Sequence, residues 1–255
     1  MFNKIAVVLR GCVRTWPHIS QVVFDNFIKI SKSIDYYFVT WDIPGLKEAE
    51  VIDSFKNQNL IKFLKVSTDR YYKNNTQGPS WLSNQMYDHL LPEDYDIIFD
   101  SRPDVLPVFF NDNQKQLSCK DNSVCVVWEG IVTDGNNIKD MGISDCFQYM
   151  SKDVYKLFCE RYKINHKINN HVDLRNFYLE HNINIIPSGG ILFHIDIVRP
   201  TQVGQIHLHA SSIYEVWQKK ELLISLWNAW DRLSEQNKII MLNQKNILLE
   251  DYYLK

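Results

Sequence analysis

The 255 residues lack most of what a spanning, secreted or polyanion-binding chain needs. The five cysteines, Cys12, Cys119, Cys125, Cys146 and Cys159, are odd in number, with no CxxC and no closely spaced Cys/His set of the zinc-site kind, so reduced thiols are expected. Nine glycines and eight prolines are too few and too scattered to mark a flexible linker, and no repeat of solenoid length occurs. No stretch approaches the roughly 18 uncharged apolar residues of a spanning helix. Ile5–Leu9, followed at once by Arg10, is too short for the apolar core of a signal peptide, which makes a cytoplasmic protein the expectation. With 28 Lys+Arg against 30 Asp+Glu, a formal charge of −2 and a pI near 6.4, there is no basic excess to hold nucleic acid by counterion release. The absence of GxGxxG and GxxxxGK[ST] removes the fingerprints of a dinucleotide dehydrogenase and a P-loop NTPase.

What is present is core material: 45% of residues are hydrophobic and 13% aromatic, enough for one large domain. Short apolar runs at Ile5–Leu9, Tyr36–Thr40 and Ile61–Val66 alternate with amphipathic stretches at Gln21–Ile30 and Glu48–Phe55. That alternation predicts an α/β fold in which helices cover both faces of a mainly parallel sheet. A helix is predicted over Ser80–Leu91, capped by Ser80 and stopped by Pro92, then a strand over Tyr95–Phe99 that ends on the charged Asp100-Ser101-Arg102-Pro103-Asp104. Further on, the pattern predicts a strand at Val124–Trp128, a loop over Gly130–Gly142, helices at Ser151–Tyr162 and Val172–Asn182, strands around Ile183–Ile186 and Ile191–Ile195, and helical pattern from Ser212 onward.

Three constellations follow strands, at the carboxyl ends where open α/β sheets bind ligands. In Arg10-Gly11-Cys12-Val13-Arg14, a small residue admits a ligand close to the backbone, and two arginines can present donors to a diphosphate; the alternative is an ordinary solvated loop. Trp41-Asp42 could hold a base and a ribose hydroxyl, or close the core and cap the next helix. Asp100, Arg102 and Asp104 could organise a divalent cation, Mn²⁺ or Mg²⁺, on a donor phosphate, or form a salt-bridge network closing a turn.

Taken in order, Lys4–Trp16, Tyr37-Phe38-Val39-Thr40-Trp41-Asp42, Asn84-Gln85-Met86 and Tyr95–Asp104 resemble nucleotide-sugar glycosyltransferases of bacteria and large DNA viruses with a GT-A type fold. The resemblance is strongest over about residues 4–106 and thinner through Gly142–Phe147 and Pro187–Phe193. It implies a single domain over 1–255, with a donor half at about 1–106 and an acceptor half at about 107–255. It implies transfer of a sugar from a nucleoside diphosphate donor to a hydroxyl of a glycan or glycoconjugate, the alternative being a GT-A-like binding module without turnover. In such enzymes an Asp-x-Asp holds the metal; here Arg102 stands at its third position, leaving Asp100 and Asp104 as candidate ligands, with His207 and His209 as a late pair on one face of a strand that could contact the metal or a phosphate, or simply be surface or structural histidines. Asp145 is the implied catalytic base and Glu129 its competitor, although Asp145 could instead cap a helix. Ser188-Gly189-Gly190 could admit the sugar or simply turn into a strand. The Trp-rich, Lys-rich stretch from Ile213 to Leu242 reads as a helix pair packing on the sheet, or as a peripheral membrane contact.

Overall fold

The computed structural model describes residues 2–13, 16–73, 77–90, 92–103, 105–109, 119, 121–126, 129–134, 137–164, 170–187, 192–197 and 206–209. Strands β1 (Phe2–Arg10), β2 (Ser31–Asp42) and β3 (Leu60–Ser67) are joined through helices α1 (Trp16–Phe27) and α2 (Glu48–Ser54). Helix α3 (Gly78–Leu90) leads to β4 (Ile97–Ser101), β5 (Val105–Phe109) and β6 (Ser123–Val126). The hairpin β7 (Glu129–Asp134) and β8 (Asn137–Ile143) comes next, then β9 (Phe147–Met150) and α4 (Lys152–Glu160) with a 3-10 turn at Arg161–Lys163. Helix α5 (Asn170–Glu180) and strands β10 (Asn184–Pro187), β11 (Leu192–Ile197) and β12 (Ile206–His209) complete the described elements.

Seven strands form the main sheet in the order β10-β6-β9-β4-β1-β2-β3. It is mixed and mainly parallel: β1 is parallel to β2 and β4, β2 to β3 and β10 to β6, and only β9 runs against its neighbours. The pleat divides the core. Ile5, Val7 and Leu9 of β1 pack with Trp16, Phe24, Phe27 and Phe55 of the α1/α2 layer. Ala6 and Val8 point the other way, against Leu82, Met86, Phe158, Leu174 and Tyr178 of α3, α4 and α5. Burial on both faces is why β1 and the second half of β2 read as unbroken apolar runs rather than alternating ones. β5, β11 and β12 form a separate antiparallel sheet.

Several local expectations need correction. Asp100 and Ser101 do not follow the strand; they are its last two residues, and all five residues of β4 are buried. The Gly130–Gly142 loop is a two-stranded ribbon, β7 paired antiparallel to β8. Only Gly135-Asn136 stands between the paired Asp134 and Asn137, a dipeptide that in sequence signals a two-residue hairpin. Helix α1 begins at Trp16, five residues before the expected Gln21, because Trp16 is fully buried against Phe24, Phe38 and Phe55. Ser80 lies inside α3, and its hydroxyl donates to the Gln77 carbonyl instead of capping. Ser151 does cap α4, accepting from the Val154 amide. The expected C-terminal helices lie outside the described residues.

Candidate functional site

Parallel strands β1 and β4 end side by side, Leu9 opposite Ser101. Both then turn into loops at one edge of the sheet. Gly11 takes φ +124°, a conformation that favours glycine, and a Cβ there would stand 3.7 Å from Cδ of Pro103, so the two loops are in contact. Because β9 is antiparallel, its beginning rather than its end comes to this edge: Phe147 pairs with Ser101, and the Arg102 amide donates to the Cys146 carbonyl at 2.9 Å. Residues from around positions 10, 100 and 145 are thereby gathered by topology.

Beneath the edge lies a buried ionic cluster. Arg10 is 2% exposed and Asp100 0%; the Arg10 Nε donates to Asp100 Oδ1 at 2.6 Å, and a terminal nitrogen of Arg10 donates to the Asp145 carbonyl at 2.5 Å. The second Asp100 oxygen accepts from the Ser83 hydroxyl of α3 at 2.8 Å, and Gln148 faces Asp100 from β9. The Tyr178 hydroxyl of α5 in turn donates to Gln148. On its other side the guanidinium lies over the Phe158 ring of α4. Burial works against the Arg10 charge, yet the carboxylates of Asp100 and Asp145 more than offset it and hold Arg10 above its ordinary range. Burial pushes Asp100 up, while Arg10 and the hydrogen bonds from Ser83 and Gln148 pull it down. Arg161, also fully buried, is lowered by burial to about 10, with Asp145 opposing that shift. His171, at the start of α5, donates from Nδ1 to the Ile143 carbonyl at 2.8 Å and lies 3.9 Å from Asp145 Oδ1.

This geometry revises the roles expected of two residues. Arg10, expected on a diphosphate, is turned inward and donates to the Asp100 carboxylate and the Asp145 carbonyl. Asp100, expected as a metal ligand, has no exposure and both oxygens engaged, so it does not fit a cation on the sheet edge. Among the residues whose side chains are described, no group of three or more His, Cys, Asp or Glu is gathered as a metal site.

No protein-family model matches the chain, and no curated protein does. Among solved structures, a galactosyltransferase LgtC with donor and acceptor sugar analogs is 11% identical over 73% of each chain, with a TM-score of 0.44. The apo glycosyltransferase GlyE of Streptococcus pneumoniae is 10% identical over 74% of this chain and 46% of its own, at 0.42. HddC of Yersinia pseudotuberculosis is 12% identical over 79% and 96%, also at 0.42.

The remaining expected residues divide as follows. Arg102 is partly exposed at the edge, its guanidinium 3.1 Å from Cys146 Sγ. Trp41 is 5% exposed and packs edge-on to Tyr72, so it closes the core. Asp42 ends β2 exposed, and it does not cap α2, whose N-cap is Lys47. Asp145 caps no helix, since β9 follows it. Glu129 opens β7 opposite Ile143. In β12, His207 stands opposite Asp196 and His209 opposite His194. Arg14, Asp104, Ser188, Gly189 and Gly190 lie outside the described residues. Sequence reasoning missed Ser83, Gln148, Arg161 and His171; each sits in or beside a helix or strand of ordinary pattern and becomes notable only through its neighbours.

Proposed function

We propose that the chain is a GT-A type glycosyltransferase that moves a sugar from a nucleoside diphosphate to a hydroxyl of a glycan or glycoconjugate. The observation that carries this reading is the convergence of the Gly11 and Arg102–Pro103 loops with Asp145 at the carboxyl edge of the parallel strands, over the buried Arg10–Asp100 pair. Arg10 and Asp100 act as positioning residues: they neutralise each other and fix the Asp145 backbone. Gly11, Arg14, Asp42 and Arg102 are assigned to the donor, and Glu129 with Ser188–Gly190 to the acceptor. In the inverting form of the reaction, the acceptor oxygen bonds to the anomeric carbon. The bond from that carbon to the diphosphate oxygen breaks with its electrons, and the hydroxyl proton passes to the Asp145 carboxylate. His171 lies 3.9 Å from that carboxylate, and the buried Arg161 guanidinium interacts with its charge. Asp100, fully buried with both oxygens engaged, takes no part in holding a metal.

A thermal-shift panel of UDP-, GDP- and dTDP-sugars, with and without Mn²⁺, tests the reading. A donor at about 100 times its Kd adds about 2.7 kcal/mol, which raises the midpoint by roughly 5–10 °C for a chain of this size. No shift and no donor hydrolysis across the panel would refute it. The second reading, a glycan-binding module without turnover, is favoured by Arg102 at the third position of the Asp-x-Asp pattern; it predicts glycan binding with no nucleotide response.

A further inference from the structure

The sequence offers no CxxC, yet folding brings two of the five thiols together. Cys119 lies just before β6 and Cys125 is the third residue of that strand, and their sulfurs are 3.7 Å apart, sharing a hydrogen bond. Cys119 Sγ also donates to the Ser123 carbonyl at 3.0 Å and lies 3.7 Å from the Tyr149 carbonyl, so the turn at Asp121–Asn122 folds it back onto β6. Cys125 is 1% exposed and fixed by the ladder, paired with Tyr149 on one side and Ile186 on the other. Cys119 is partly exposed. Of the other three thiols, Cys159 is buried in the α4 layer, Cys146 sits beside Arg102, and Cys12 is partly exposed in the loop after β1.

We propose that Cys119 and Cys125 form a reversible intramolecular disulfide, making this end of β6 a thiol-modification site. Cys119 meets the oxidant because it is the more accessible of the two. Its thiolate attacks one sulfur of a low-molecular-weight disulfide such as glutathione disulfide. That S–S bond breaks, one half leaves as thiolate, and a mixed disulfide forms on Cys119. The Cys125 thiolate then attacks the Cys119 sulfur and expels the second half. Two protein thiols are oxidised, one small disulfide is reduced to two thiols, and the two protein protons go to the leaving thiolates.

The experiment treats the full chain with excess glutathione disulfide, blocks remaining thiols with iodoacetamide, and maps the digest under non-reducing conditions. The expected result is a fall in titratable thiols from five to three, one linked peptide joining Cys119 to Cys125, and full recovery with dithiothreitol. Cys125→Ser is expected to stop at a stable Cys119 mixed disulfide, and Cys119→Ser to leave Cys125 reduced. Five surviving thiols, a bond between other cysteines or between two chains, or an equally fast loss of thiols in Cys119→Ser would overturn the proposal. Each readout is independent of sugar transfer.

Discussion

Replacing Arg10 by Met removes the guanidinium but keeps an apolar stem in the space beneath the sheet edge. The consequence follows from Asp100, which is 0% exposed and bonded at 2.6 Å to the group being removed. Ser83 and Gln148 remain, but neither carries a compensating charge. Breaking a buried ion pair from one side typically costs about 3–5 kcal/mol, a large part of the roughly 5–15 kcal/mol by which a domain is stable. Urea unfolding followed by tryptophan fluorescence reads this directly: with a slope near 2.5 kcal/mol/M, the midpoint falls by roughly 1.5 M. Adding Asp100→Asn removes the stranded charge, so the double variant should lose at least about 2 kcal/mol less than the sum of the two single variants. The pH dependence has a definite sign. Burial already raises Asp100 and Arg10 restrains it, so without Arg10 its native value rises further above the unfolded one. Such a group favours the native state below its unfolded value and loses that contribution as pH climbs through the native value. The deficit of the variant is therefore smallest in mildly acidic solution and grows toward neutrality. A loss below 1 kcal/mol at neutral pH, or strict additivity in the double variant, would refute the buried-pair argument.

Three further outcomes are expected. Gly11→Val places a branched side chain at φ +124°, costing about 1–3 kcal/mol through backbone strain, and it should abolish the donor-induced thermal shift; an intact shift would remove this loop from the donor site. Gly78→Ala brings a Cβ to 2.7 Å from the Tyr71 carbonyl oxygen, and the forced backbone movement should cost about 1–3 kcal/mol, seen as a lower melting temperature; an unchanged one would mean the approach is looser than described. Asp145→Asn should lower sugar transfer by about 10²–10⁴-fold while donor binding persists, measured by product formation beside a thermal shift. Transfer within threefold of wild type would take the base role away from Asp145.

Strand and helix order in the first hundred residues was legible from the chain itself, because local periodicity and turn residues act over a few positions and burial on both faces marks the central strands β1 and β2 plainly. Ile5–Leu9, Tyr36–Thr40 and Ile61–Val66 all lie within strands of the one sheet, and the Gly11 loop follows the first of them. Sequence also placed Asp145 among the residues of interest. What it left undecided is which charges meet. Arg10 and Asp100 are ninety positions apart, and each looks like a loop residue beside a ligand until β4 docks against β1 and turns both toward α3 and α4. The reversed direction of β9, which carries Asp145 and Cys146 back to the ends of β1 and β4, and the meeting of Cys119 with Cys125 have the same origin. Periodicity is a local property that side chains impose on their own segment, whereas neutralisation of a buried charge depends on partners supplied by distant segments, so only the tertiary structure decides which carboxylate serves as a counter-ion and which can face a substrate.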